Sequence, residues 1–342
     1  LEESGGDGGM KWEIAKLGDI SKNIQTGPFG SQLHQSDYSE CGIPVVMPKD
    51  LVGGKISEES IARVDKTHVE RLCRHKIEVG DILYSRRGDV GRCAHVTKKE
   101  EGWLCGTGCL RVTIDSEKAD SRFVFFQLQH PDTVGWVEKH AVGATMLNLN
   151  TTILSSVPIR LPALEIQKRI ADILSAYDDL IENNQKQIKL LEEAAQRLYK
   201  EWFVDLRFPG HENTKIVDGV PEGWSRTNIN GILTFHRGYD LTKNEMKAGR
   251  YPVIGSTSII GYHNEFKIKG PGIVTGRSGS LGKYQLVWDD FWPHNTSLYI
   301  SNYKGHNIFF VYSLLQTVDF ASLNNGGAIP TLNRNVLSNI EV

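Results

Sequence analysis

The chain has 342 residues, 39 Lys plus Arg against 41 Asp plus Glu, and a formal charge of −2. It has room for two or three domains with proper cores, and no apolar run approaches the ~18–20 residues of a membrane span. Residues 10–162 carry +1, 163–207 carry −2 and 208–342 carry +2, so any affinity for DNA must reside in local clusters or in a partner that supplies cationic surface.

Residues 1–9, LEESGGDGG, are acidic and Gly-rich and read as a linker or expression remnant outside the fold. They hold no apolar stretch that would serve as a signal peptide. The first domain is expected over residues 10–162. All five cysteines fall in it (Cys41, Cys73, Cys93, Cys105, Cys109), and an odd number without a secretory signal implies free thiols in a reducing cytoplasm. Cys105 and Cys109 with His95 could be imagined as zinc ligands, but C-x3-C fits no common structural zinc pattern. The thiols read instead as small buried hydrophobes, and no metal site is expected. DILYSR ahead of the Gly-rich turn at Gly88 and Gly91 predicts a short strand. SRFVFFQLQ predicts an amphipathic helix, and the GATMLNLN loop leads into a short helix with Asn150 near its cap.

Between Pro162 and Pro209 there is neither Pro nor Gly, so nothing interrupts a helix. Apolar residues step by four and three: Ile170, Leu174, Tyr177, Ile181, Asn184, Ile188, Leu191, Ala195, Leu198, Trp202. A 3.5-residue rhythm of this length marks a coiled-coil seam, and the one polar member, Asn184, is the kind of residue that fixes register. The helix, expected over residues 163–207, would span about 60 Å. A seam left in water would forfeit roughly 1.5–3 kcal/mol per large side chain, so it is expected to pair with another helix.

The second domain, residues 208–342, repeats the plan of the first. Trp12 and Trp224 each precede an Ile by eight residues, and Gly27 has its echo in Gly238. GDILYSRRGDVGR (residues 80–92) aligns without gaps to PGIVTGRSGSLGK (271–283), matching Ile82 to Ile273, Arg86 to Arg277, Gly88 to Gly279 and Gly91 to Gly282. GATMLNLNTTILSSVPI (143–159) aligns with GGAIPTLNRNVLSNIEV (326–342). Landmarks recurring in one order make the halves copies of one module. The predicted fold is therefore α+β, two similar domains separated by a long coiled-coil-type helix.

LPALEIQKRIADILSAYDDLIE, WFVDLRFPG, PEGW and GGAIPTLN, in this order, resemble the specificity subunit of Type I restriction-modification systems, over essentially all of residues 10–342. The resemblance implies two target recognition domains, each reading one half of a bipartite double-stranded DNA target. It implies a spacer helix that sets half-site spacing, pairs with a second spacer helix and docks two methyltransferase subunits. Motor-nuclease subunits complete the restriction enzyme. The chain itself would be non-catalytic and cytoplasmic, with S-adenosylmethionine, ATP and Mg acting only through partner subunits. At Ile340-Glu341-Val342 the family would continue into the second helix, so that helix, or one from another chain, is expected to complete the pair.

Base edges specify and phosphates position, with Arg, Lys, Asn and Gln performing most of both. In the first domain the candidates for DNA contact are Ser31 and Gln32 in the 26–32 loop, Arg86, Arg87 and Arg92 in the Gly turn, Lys98 and Lys99 as its extension, and Asn148. In the second they are Arg237, Tyr239, Arg277, Ser278, Lys283, Thr331 and Asn333. Arg pairing with a surface carboxylate such as Asp89 is the alternative for the Gly turn, and helix capping is the alternative for Asn150 and Asn333. No catalytic set is expected. There is no Pro-Pro pair for an adenine methyltransferase loop, and GRSGSLGK has the wrong P-loop spacing, with Tyr284 where Ser or Thr belongs. Glu138-Lys139 lacks the intervening residue of a nuclease motif. A two-domain adaptor that binds proteins through a coiled-coil stalk is the competing reading.

Overall fold

The computed structural model of the chain describes residues 12–143, 147–277, 282–318 and 339–342. It divides into two units, one ending at Asn183 and the other beginning at Asn184, a boundary that falls inside one helix.

The first unit is built on a four-stranded antiparallel sheet in the order Ser21–Thr26, Cys109–Ile114, Ile82–Ser85, Cys93–His95. Ile82–Ser85 is buried throughout, as the apolar run of Ile82, Leu83 and Tyr84 requires, and the Ser85 hydroxyl donates to the Arg87 carbonyl at 3.1 Å. Ala62–Val64, Ile43–Val46 and Leu104–Cys105 form a second sheet, in which the last pair is parallel. Helix Ser121–Gln129 packs Phe123, Val124, Phe125 and Leu128 inward, and the Asp120 carboxylate caps it by accepting from the amides of Arg122 and Phe123. The strands Glu13–Lys16 and Pro158–Leu161 pair and close the module.

The second unit repeats this topology. Its four-stranded sheet runs Thr234–Arg237, Ser297–Asn302, Gly272–Gly276, Tyr284–Val287, and its three-stranded sheet runs Ile259–His263, Tyr251–Ile254, Trp292–Pro293, again with a parallel last pair. Ile308–Thr317 is the second packed helix. Even the closure recurs: Leu17 donates to the Val157 carbonyl at 2.9 Å, and Ile229 donates to the Ile340 carbonyl at 2.9 Å. The repeat read from four landmarks is a duplicated fold.

The long helix is continuous over Leu164–Tyr199, 36 residues, and ends in a π-helical turn, Lys200–Val204. Its first turns belong to the first unit, where Gln167 is 2% exposed and Ala171 is buried. Its last belongs to the second, where Tyr199 joins the core of Ile229, Phe235 and Val311 and its ring lies 5.6 Å from that of Phe310. Phe203 stacks on Trp224 at 5.5 Å. The predicted seam needs correction at both ends. Ile170 is half-buried on the first unit. Trp202 sits half-buried in the π turn, whose i→i+5 spacing breaks the 3.5-residue rhythm. Between them Leu174, Tyr177, Ile181, Ile188, Leu191 and Leu198 are 38–70% exposed, and Asn184 and Ala195 are exposed with them. Ile173 and Leu180, also exposed, widen the stripe beyond the predicted line.

Candidate nucleic-acid interface

Strand register gathers the candidate loops of the first unit at one sheet end. Thr26 lies opposite Leu110 and Ser85 opposite Cys109, so the loops leaving Thr26 and Ser85 flank the loop that enters at Cys109. Backbone bonds weld them together: Gly27 N–H to the Cys109 carbonyl at 2.9 Å, and Arg86 N–H to the Gly108 carbonyl at 2.8 Å. Residues 147–149 close the corner, with Leu149 N–H donating to the Arg86 carbonyl at 2.8 Å and Gly88 N–H to the Leu147 carbonyl at 3.1 Å. Gly27 has no alternative here, because a Cβ on it would lie 2.0 Å from the Gly106 carbonyl oxygen.

The second unit builds the same corner. Gly238 N–H donates to the Ser297 carbonyl at 3.0 Å and Arg277 N–H to the Thr296 carbonyl at 3.0 Å. A Cβ on Gly238 would lie 2.0 Å from the His294 carbonyl oxygen. Each corner therefore joins an Arg, bonded through its own amide, to a close glycine backbone crossing.

The individual side chains divide. Ser31 and Arg87 are exposed at the first corner. Arg86 is half-buried, and its Nε is sealed from solvent without a protein acceptor, an arrangement that costs free energy until an acceptor is supplied. Gln32 turns inward and accepts the Phe29 amide at 3.1 Å, which shapes the loop. Asn148 is exposed, with its backbone bonded to Val142. Arg92 is paired with Asp89 at 2.7 Å, the alternative foreseen for this turn, and Asn150 caps Thr151–Ser155 by accepting from Ile153 N–H at 2.8 Å.

Lys98 and Lys99 are a correction: they do not extend the Arg cluster. Because Tyr84 faces Cys93 and Ile82 faces His95, the chain after His95 runs to the opposite end of the sheet. There Lys98 pairs with Glu101, and Lys99 with Glu58 at 2.7 Å.

In the second unit Arg237 lies 3.7 Å from Asp240, which also accepts from Asn295. Tyr239 is a wall rather than a free reader: its hydroxyl bonds that of Tyr299 at 2.9 Å and its ring meets Trp292 edge-on. Arg277 is half-buried and Lys283 exposed, whereas Ser278, Thr331 and Asn333 lie outside the described residues.

Phe29, within the candidate 26–32 loop, is 53% exposed. One feature escaped the sequence reading. Residues 255–258, Gly-Ser-Thr-Ser, join the second corner through Ser256 Oγ, which donates to the Thr296 carbonyl at 2.8 Å; their turn composition between two apolar runs was the available signal. The zinc alternative gains nothing from the thiols: burial pushes Cys105 up to about 12 and Cys109 well above the ordinary thiol value, away from the thiolate that ligates a metal. Among the described residues no group of three or more His, Cys, Asp or Glu is gathered to hold a metal ion, and no helix is long and apolar enough to cross a membrane.

Fold and corner together define a tandem-module protein, with one loop-bearing α+β module built twice around a shared helix. The chain belongs to the family described as Type I restriction modification DNA specificity domain, whose profile matches residues 10–193 and 221–342. It is 29% identical over 220 residues to the putative type I restriction enzyme MjaX specificity subunit of Methanocaldococcus jannaschii, covering 62% of this chain and 50% of that protein. It is 28% identical over 243 residues to the MjaIX specificity subunit of the same organism, covering 69% and 54%. With the HindI specificity subunit of Haemophilus influenzae it shares 27% over 198 residues, covering 57% and 41%. The chain thus spans about half the length of the curated relatives it matches. A crystal structure of the Type-I restriction-modification system S subunit from M. genitalium has the same fold, with a TM-score of 0.60 at 16% identity over 98% of this chain and 85% of that one.

Proposed function

We propose that this chain is a non-catalytic DNA-specificity subunit of a Type I restriction-modification enzyme, in which each module reads one half of a bipartite duplex target. The observation that carries the reading is the twice-built corner, where an Arg amide and a glycine backbone crossing tie three loops together at the same sheet end of each module, and loops held on a rigid scaffold are where binding residues sit. Near-neutral charge suits a reader that binds tightly only beside cationic partner subunits. The exposed stripe from Leu174 to Leu198 is the surface for a second spacer helix, from this protein or another chain, and the paired helices set half-site spacing and dock two methyltransferase subunits. Chemistry, with S-adenosylmethionine, ATP and Mg, lies in the methyltransferase and motor-nuclease partners, all cytoplasmic. The family match favours this over the protein-binding adaptor.

The test is methylome sequencing of DNA exposed to the chain with its cognate methyltransferase. A split, asymmetric motif is expected. Arg86→Ala with Arg87→Ala should relax or abolish one half of it while the other half persists. Absence of any split motif refutes the reading, and an unchanged motif in the double variant removes that turn from the interface.

A further inference from the structure

We propose that Lys55 and Arg122 are positioning residues that latch the first module onto the spacer helix and so make the gap between half-sites selective; this rests on the function proposed above. Three contacts lie along one side of the helix. At its start Gln167, 2% exposed, accepts the Asp120 amide at 3.0 Å and donates to the Pro162 carbonyl at 2.9 Å. Beyond it Arg122 reaches Asp172 at 2.8 Å. Farther along, Lys55 pairs with Glu182. Lys55 stands on the hairpin of Leu51–Val52 and Lys55–Ile56, whose turn residues Gly53 and Gly54 have φ of +57° and +81°.

What lies between these points gives the latch its purpose. Ser175, Asp178 and Asp179 of the helix and Phe125, Phe126 and His95 of the module line an open cavity of about 500 Å³, so no packed core sets the helix angle there. From Gln167 to Glu182 the helix advances about 22 Å. Held only by its first turns, from Gln167 to Ala171, the helix leaves the module room to rock across the cavity; the Lys55–Glu182 pair, exposed and individually weak, biases it against doing so. The predicted seam residues Leu174 and Ile181 are themselves exposed, so the latch and a partner helix are compatible.

The experiment uses the reconstituted methyltransferase complex and a duplex library in which the gap between half-sites varies one base pair at a time. The wild-type complex should methylate one gap. Lys55→Ala with Arg122→Ala should raise methylation at gaps one base pair shorter or longer by about two- to fivefold relative to the preferred gap, with both half-site sequences unchanged. Glu182→Gln, at a helix position away from any core, should act in the same direction, and Lys55→Glu combined with Glu182→Lys should restore selectivity. Unaltered gap selectivity in the variants overturns the latch, and so does loss of half-site sequence selectivity, which would place these residues among the readers. A wild-type complex that methylates no split motif refutes the underlying function instead.

Discussion

Replacing Gly27 by Ala tests the corner at its tightest point. The new Cβ would stand 2.0 Å from the Gly106 carbonyl oxygen and 2.8 Å from its carbon, so the neighbour must retreat by more than an ångström, roughly 1.5 Å to reach an ordinary contact. It is poorly placed to do so. The Gly106 amide is fixed on the Val46 carbonyl at 2.9 Å and its carbonyl accepts from Cys109 at 3.2 Å. Overpacking against fixed backbone costs about 1–3 kcal/mol, occasionally more, and the strain falls where the 26–32 and 106–109 loops meet. Gly30→Ala is the control, because no atom lies within 4 Å of its Cβ position and its effect should stay within about 0.5 kcal/mol. Gly238→Ala is the twin experiment on the second module, against the His294 carbonyl oxygen at 2.0 Å. Urea unfolding should show both Gly27→Ala and Gly238→Ala destabilised, and methylation assays should show each impairing a different half of the target. If Gly27→Ala unfolds with Gly30→Ala and methylates normally, the glycine crossing is not the foundation of the corner.

Inserting four residues into the exposed stretch 184–198, and four into the helix that pairs with it, adds about 6 Å. The preferred gap should lengthen by about two base pairs while both half-site sequences persist, read by methylome sequencing; an unchanged gap removes the helix as a ruler. Acid should attack the first module before the second. Burial holds His75 and His95 near 4, below the 6.5 of a free imidazole, so the folded state favours their neutral forms. That stability is full above about pH 6.5 and is lost as pH falls toward 4, on the order of 1–3 kcal/mol for each histidine. Asp50 and Asp81, raised by burial, pull the other way but only in the carboxylate range. Calorimetry between pH 7 and 4.5 should show the transition of the first module falling, and His75→Gln should flatten that slope. A transition indifferent to pH over this range refutes the assignment.

The features legible in sequence were those with a local physical signature. A helix without Pro or Gly for more than forty residues, a 3.5-residue apolar rhythm, the Asn150 cap, and Gly turns at matched places in two halves all follow from interactions within a few residues along the chain. The duplication was therefore readable from residues 80–92 set against 271–283, whereas the order of strands in each module was not. Which charges share a surface was equally hidden. Lys98 follows Arg92 by six residues yet lies at the other end of the sheet, because the intervening strand carries the chain across it. Lys55 and Glu182 meet across 127 residues of sequence, and Arg92 is neutralised by Asp89 while the Arg86 Nε, six residues earlier, finds no acceptor. Proximity along a chain is decided by φ and ψ preferences, but proximity between distant charges is decided by sheet order and register, which only the buried cores of the two modules select.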